Sequence, residues 1–174
     1  MQATSDASGS TALEEGRAWW FFDALEVTHA SFAETGGHLA FGESLSPDGS
    51  MPPLHVHPEQ DEGFYVLEGG MRLYVGRDVI DLGPGQFALA PRAIPHTFRV
   101  SSPDGRPSRI LGWITGPFDE FVHDVGKPAE GLRLPTEDEQ PSPDLDAVTE
   151  AAAKRGIIIL GPPGMLPTDL PEYQ

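Results

Sequence analysis

From Gly63 to Thr115 the sequence is cut into short apolar runs by turn residues, and this spacing limits the fold more than any other feature. Residues 63–67 run into Glu68-Gly69-Gly70, residues 71–75 into Gly76-Arg77-Asp78, and residues 79–82 into Gly83-Pro84-Gly85. Runs at 86–90, 94–100 and 109–115 follow, with 101–107 reading as an exposed loop. In the second run Met71, Leu73 and Val75 alternate with Arg72 and Tyr74, the period of a strand that buries one face. Upstream, residues 24–32 and 38–45 have strand composition around a turn at Thr35-Gly36-Gly37. Short antiparallel strands at this pitch predict an all-β sandwich or barrel.

The texture changes after Pro117. Phe118 and Phe121 stand at helical i,i+3 spacing with acids between them, and Gly126 follows as a stop, which predicts a short amphipathic helix. A second helix is expected over about 143–155 with Gly156 beyond its end, then an apolar strand or arm at 157–160. Four prolines in 161–174 argue against regular structure there. The expected organisation is a disordered tail at 1–12, a barrel at 13–126, and at 127–174 a Pro-rich linker, helix and C-terminal arm packing on the barrel. The cluster Trp19-Trp20-Phe21-Phe22 reads as core or interface packing.

Composition removes several function classes. A formal charge of −16 with only 11 Lys and Arg opposes nucleic acid as a partner. The absence of cysteine excludes disulfides, thiolate ligands and a cysteine nucleophile. No secretory pattern opens the chain and no apolar run approaches the roughly 20 residues of a membrane span, so a cytoplasmic protein without a membrane partner is expected.

One group of residues carries chemistry. His55 and His57 are two apart, so on a strand their imidazoles share a face while Val56 points the other way. Glu62 lies five residues beyond His57, an odd offset, and can join that face only if Pro58-Glu59-Gln60-Asp61 turns or bulges. His96 would come from a separate strand. Three imidazoles and a carboxylate suit a divalent transition metal (Fe, Ni, Mn, Co, Cu or Zn) and leave positions open for a small molecule or dioxygen.

The two stretches Gly49-x5-His55-x-His57-x4-Glu62-x6-Gly69 and Gly85-x5-Pro91-x4-His96 resemble the paired motifs of the cupin superfamily. The resemblance implies a jelly-roll barrel with short C-terminal helices and a metal held by His55, His57, Glu62 and His96. Ala93 stands where the second motif usually has glycine, and Val100 where it often has asparagine. Pro52-Pro53-Leu54-His55, Phe64-Tyr65-Val66-Leu67-Glu68-Gly69 and the late Gly156-Ile157-Ile158-Ile159-Leu160-Gly161-Pro162-Pro163 are similar to single-domain bacterial quercetin 2,3-dioxygenase-like cupins. A homodimer is also implied, with the aromatic cluster as a candidate contact.

The reading that follows is a dioxygenase for an enolisable aromatic or diketone-like small molecule. Glu62 is the candidate catalytic base, with burial in an apolar barrel expected to raise its pKa. A non-redox cyclase, isomerase or decarboxylase is the alternative, and a binding barrel without catalysis the third. Strand parity offers Phe64, Val66, Met71, Leu73 and Phe98 as cavity lining, with Phe118 or Phe121 closing the mouth.

Overall fold

Two antiparallel sheets are built from the alternating segments, and their inward faces close on one another. The computed structural model describes residues 15–173; the tail expected at 1–12 lies outside the described residues. The strands are β1 (Ala18–Phe21), β2 (Ala24–Ala30), β3 (Ala40–Ser46), β4 (Leu54–Val56), β5 (Glu62–Glu68), β6 (Met71–Val75), β7 (Asp78–Leu82), β8 (Phe87–Ala90), β9 (His96–Val100), β10 (Ser108–Ile114), β11 (Lys127–Pro128) and β12 (Ile158–Gly161). One sheet has the order β11-β1-β2-β3-β10-β5-β8 and the other β12-β4-β9-β6-β7. This is the jelly-roll sandwich expected from the sequence.

The core follows from the period-2 pattern. Phe64 and Val66 of β5, Met71, Leu73 and Val75 of β6, Val100 of β9 and Ile110 of β10 pack together between the sheets, with Ile80, Ile94 and Phe98 against them. Gly69 joins β5 to β6 at φ +77, and a Cβ there would run into Ser108, whose hydroxyl accepts from Gly70 N at 2.9 Å.

Two smaller clusters cover the outside. Trp20, 0 % exposed, packs with Ala18, Leu25 and Val27, and its indole N–H donates to Arg133 O at 2.9 Å. Phe21 and Phe22 pack against α1 (Phe118–Val125) and α2 (Leu145–Lys154). The aromatic cluster is thus spent largely on packing within the chain, and Trp20 offers no surface to a second subunit.

The segment read as a linker contributes β11, an edge strand paired with β1, and the late apolar run contributes β12, paired with β4. The expectation that residues 161–174 lack regular structure needs correction. Pro167–Asp169 and Pro171–Tyr173 form 3-10 turns, a short element that tolerates proline at its first position. Among the described residues no helix is long and apolar enough to cross a membrane.

Candidate metal centre

His55, His57, Glu62 and His96 converge: one ligand atom from each lies within 4.8 Å of all the others. His55 and His57 come from β4 and its C-terminal extension, both on the inward face as parity required. The chain then bends at Pro58 and Glu59 and leaves the five-stranded sheet for the seven-stranded one, where Glu62 opens β5. The odd offset is therefore resolved by a change of sheet rather than by a bulge within one strand. Asp61 anchors that crossing, since its carboxylate accepts from Arg92 N at 2.9 Å and Nη2 at 2.5 Å, and its backbone N–H donates to Thr115 Oγ1 at 2.8 Å. His96 opens β9 directly across from His55.

The ring nitrogens are sorted by their partners. His55 Nδ1 lies 2.9 Å from Pro53 O and His96 Nδ1 2.9 Å from Ile94 O. His57 Nδ1 lies 3.1 Å from Gln60 Oε1. Carbonyl oxygens only accept, so each neutral ring carries its proton on Nδ1 and turns a bare Nε2 to the centre. The Gln60 amide is oriented in turn because its Nε2 donates to Arg155 O at 2.8 Å. Gly116 and Gly156 make room for it, since a Cβ at either would collide with that amide.

All three Nε2 atoms face one carboxylate oxygen. Glu62 Oε2 is 3.0 Å from His96, 3.4 Å from His57 and 3.8 Å from His55. His57 Nε2 is buried without a hydrogen-bond partner. With the ring protons on Nδ1 the four electron-pair donors converge, and a cation in their midst would satisfy them, so the donor set fits a divalent metal of the first transition row. The geometry leaves its identity open.

Burial opposes the charge on Glu62, but in the metal-free chain hydrogen bonds from His55, His57 and His96, which need protons on Nε2 that a bound metal would displace, outweigh it and hold the carboxyl well below its ordinary range. This corrects the expectation of a raised pKa, which considered the apolar barrel and omitted the three donors aimed at the carboxylate.

Glu62 opens onto a cavity of about 100 Å³ whose wall includes Phe64, Phe98, Ile110, Trp113 and Phe118. Phe64 and Phe98 meet edge to face at 5.5 Å. Val66, Met71 and Leu73, offered by parity as lining, are not among its lining residues. They are 0–2 % exposed and closed into the core further along the same inward faces. Phe121 faces the helix cluster instead.

Two residues of the site region escaped the sequence reading. Gln60 had only its place in the turn after His57 as a signal. Glu26 lines the cavity from β2, and burial pushes its carboxyl up to about 8, opposed by a hydrogen bond from Ser44 and reinforced by the Glu62 charge. Its alternation with Leu25 and Val27 resembles an ordinary solvent face, yet here the apolar residues pack outward under Trp20 and the polar face looks into the barrel.

Comparison with known proteins fits this geometry. Residues 43–111, which include all four ligand candidates, match the family described as Cupin domain. Residues 43–111 are a cupin domain by this match. A quercetin 2,3-dioxygenase of Bacillus subtilis (strain 168) is 31% identical to this chain over 115 residues, 66% of this chain and 34% of that protein. The match thus spans about a third of that relative's length. Among solved structures, KdgF from Halomonas sp. superimposes with a TM-score of 0.52 at 17% identity, covering 62% of this chain and 93% of that one, a likeness of fold alone.

Proposed function

We propose that this cupin is a metal-dependent oxygenase acting on a small enolisable substrate, a β-diketone or the enolic part of a flavonol-like ring. The observation that carries this reading is the convergence of three imidazole Nε2 atoms on the Oε2 of Glu62, a residue that also lines an apolar cavity. The stretch shared with a quercetin 2,3-dioxygenase supports the oxygenase class. At about 100 Å³ the cavity is below the roughly 300–1,000 Å³ of sites that enclose drug-sized ligands, which favours a diketone-sized molecule over a whole flavonol.

A bound divalent ion would supply Lewis acidity toward a substrate oxygen and, if redox-active, a route to dioxygen. His55, His57 and His96 would serve as its nitrogen ligands and Glu62 as its oxygen ligand. Because Oε2 is the atom that meets all three imidazoles, Oε1 is left to accept the enol proton, and the carboxylate is ionised and ready to do so. Phe64 and Phe98 hold the substrate by apolar contact and exclude water, and Phe118 flanks it from α1.

One observation favours non-redox proton chemistry as a second reading: Glu26 and Glu62 open on the same cavity with pKa values displaced in opposite directions, the pattern of an acid paired with a base. Reconstitution with Fe(II), Ni(II), Co(II), Mn(II) or Cu(II), followed in an oxygen electrode with acetylacetone and a panel of flavonols, decides between them. Oxygen uptake with at least one pair is the expected result. Anaerobic turnover with Zn(II) selects the second reading, and neither uptake nor turnover leaves a binding protein.

A further inference from the structure

Glu26 sits where a charged carboxylate has no support. It lines the cavity from β2 with Thr28, on the same sheet as Glu62 of β5, and Asp119 of α1 lines the cavity too. Along that sheet the neighbouring β3 offers the neutral Ser44, and β10 offers Ile110, Gly112 and Ile114. No Lys, Arg or His is among the cavity's lining residues, so an ionised Glu26 would have no cationic side chain beside it in a largely apolar pocket. Asp119 is already engaged, since its Oδ1 accepts from Phe32 N at 3.1 Å.

A neutral carboxyl carries one O–H donor as well as acceptor capacity. Ser44, itself bonded to Ser46 Oγ at 2.7 Å, holds the Glu26 carboxyl, and Glu26 pairs with Ser44 in the β2–β3 register. The cavity's other polar side chains are Thr28, Trp113 with its indole N–H, and the two acids already named. Such a donor on an otherwise apolar wall would be left unsatisfied by a hydrocarbon and satisfied by an oxygen acceptor.

We propose that Glu26 is a substrate-contacting residue whose protonated carboxyl, steadied by Ser44, donates a hydrogen bond to a carbonyl or enolate oxygen of the ligand. The proposal rests on the reading of this cavity as the substrate site. It selects ligands with a second oxygen beyond the one that faces the His-Glu cluster, the arrangement found in β-diketones and 3-hydroxy-4-keto rings.

The test uses the full chain loaded with Zn(II), so that the probe is bound without being oxidised, and acetylacetone as the probe. Calorimetric titration compares wild type with Glu26→Leu and Glu26→Gln. Leucine, which has no donor, is expected to weaken binding about tenfold, and glutamine, which keeps one, to stay within about threefold of wild type. Infrared difference spectra at pH 7 supply a readout independent of the fold of the leucine variant. A protonated-carboxyl band should be present in wild type, absent in Glu26→Gln, and shifted when acetylacetone binds. Equal affinity in wild type and Glu26→Leu, or no Glu26-dependent band, overturns the proposal. Binding that depends on Glu26 without oxygen uptake under any metal leaves Glu26 in place and removes the oxygenase reading. Failure of wild type to bind acetylacetone or a flavonol overturns both.

Discussion

His55 and His96 are direct cross-strand partners, the paired register of β4 and β9, and their rings stand 4.4 Å apart. Both rings donate backward, to Pro53 O and Ile94 O, so the same extended backbone that pairs the strands also aims the two Nε2 atoms inward. A ligand pair built into a ladder register is rigid before any ion arrives. His96→Ala should therefore lower divalent-metal affinity by more than about a hundredfold, beyond the range for indirect contacts, while preserving the sheet. Competition against a chromophoric chelator measures it, and retained affinity would remove His96 from the ligand set.

Gln60 is expected to act through His57. It accepts from Nδ1 and is itself fixed by Arg155 O just beyond the end of α2, so removal of its carbonyl frees the ring to rotate or to change tautomer. Gln60→Leu should reduce metal affinity by about 10- to 100-fold. Gln60→Glu keeps the acceptor toward His57 and should recover most of that loss. Equal losses in the two variants would point to packing between Gly116 and Gly156 rather than to the hydrogen bond.

Strand parity, a local rule, made the barrel and the shared face of His55 and His57 legible in the sequence, and the resemblance to the cupin motifs added His96 and Glu62. His55, His57 and the core positions Met71, Leu73 and Val75 all fall on the faces that parity assigns. Parity does not say how far along a face the core ends and a cavity begins, so Val66, Met71 and Leu73 looked as eligible for the lining as Phe64 and Phe98. Nor does it say which side of a strand faces outward. Glu26 alternates with Leu25 and Val27, and only the packing of Trp20 and Ala129 over that apolar face shows that the acid points into the barrel. The sheet change at Pro58–Asp61 and the pull of three imidazoles on Glu62 are likewise tertiary effects.

Core and lining can be separated by substitution. Leu73→Ala removes a side chain that is 0 % exposed and should cost about 2–5 kcal/mol of stability with acetylacetone affinity unchanged. Phe98→Ala opens the cavity wall and should change probe affinity and selectivity between acetylacetone and larger diketones. Urea unfolding and titration of both variants check this. Unchanged binding in Phe98→Ala would return that residue to the core.

Glu26 should also leave a mark on stability against pH. Burial raises its carboxyl from 4.5 to about 8, so between these values the folded chain holds a proton that the unfolded chain has released. Stability from this group is full below about 4.5 and is lost as pH rises toward 8, at up to about 1.4 kcal/mol per pH unit. In metal-free protein the advantage of wild type over Glu26→Gln should shrink steadily from pH 5 to pH 8. Parallel urea-midpoint curves for the two would show that Glu26 is ionised throughout.

Ala93 carries the clearest cost of a departure from the motif. It adopts φ +62, the left-handed region, at the position where the resemblance expects glycine, and its N–H donates to His57 O at 2.8 Å. A Cβ in that conformation costs about 1–2 kcal/mol, and the greater freedom of glycine in the unfolded chain returns part of it. Because Ala93 is exposed, the substitution removes little packing. Ala93→Gly should therefore stabilise the protein by about 0.5–1 kcal/mol, read from urea midpoints at constant slope. Metal affinity should hold or rise, since the bond that ties this loop to His57 is kept and relieved of strain. A destabilised Ala93→Gly would mean that the loop does not hold this conformation in solution, and that the approach to His96 is set by other contacts.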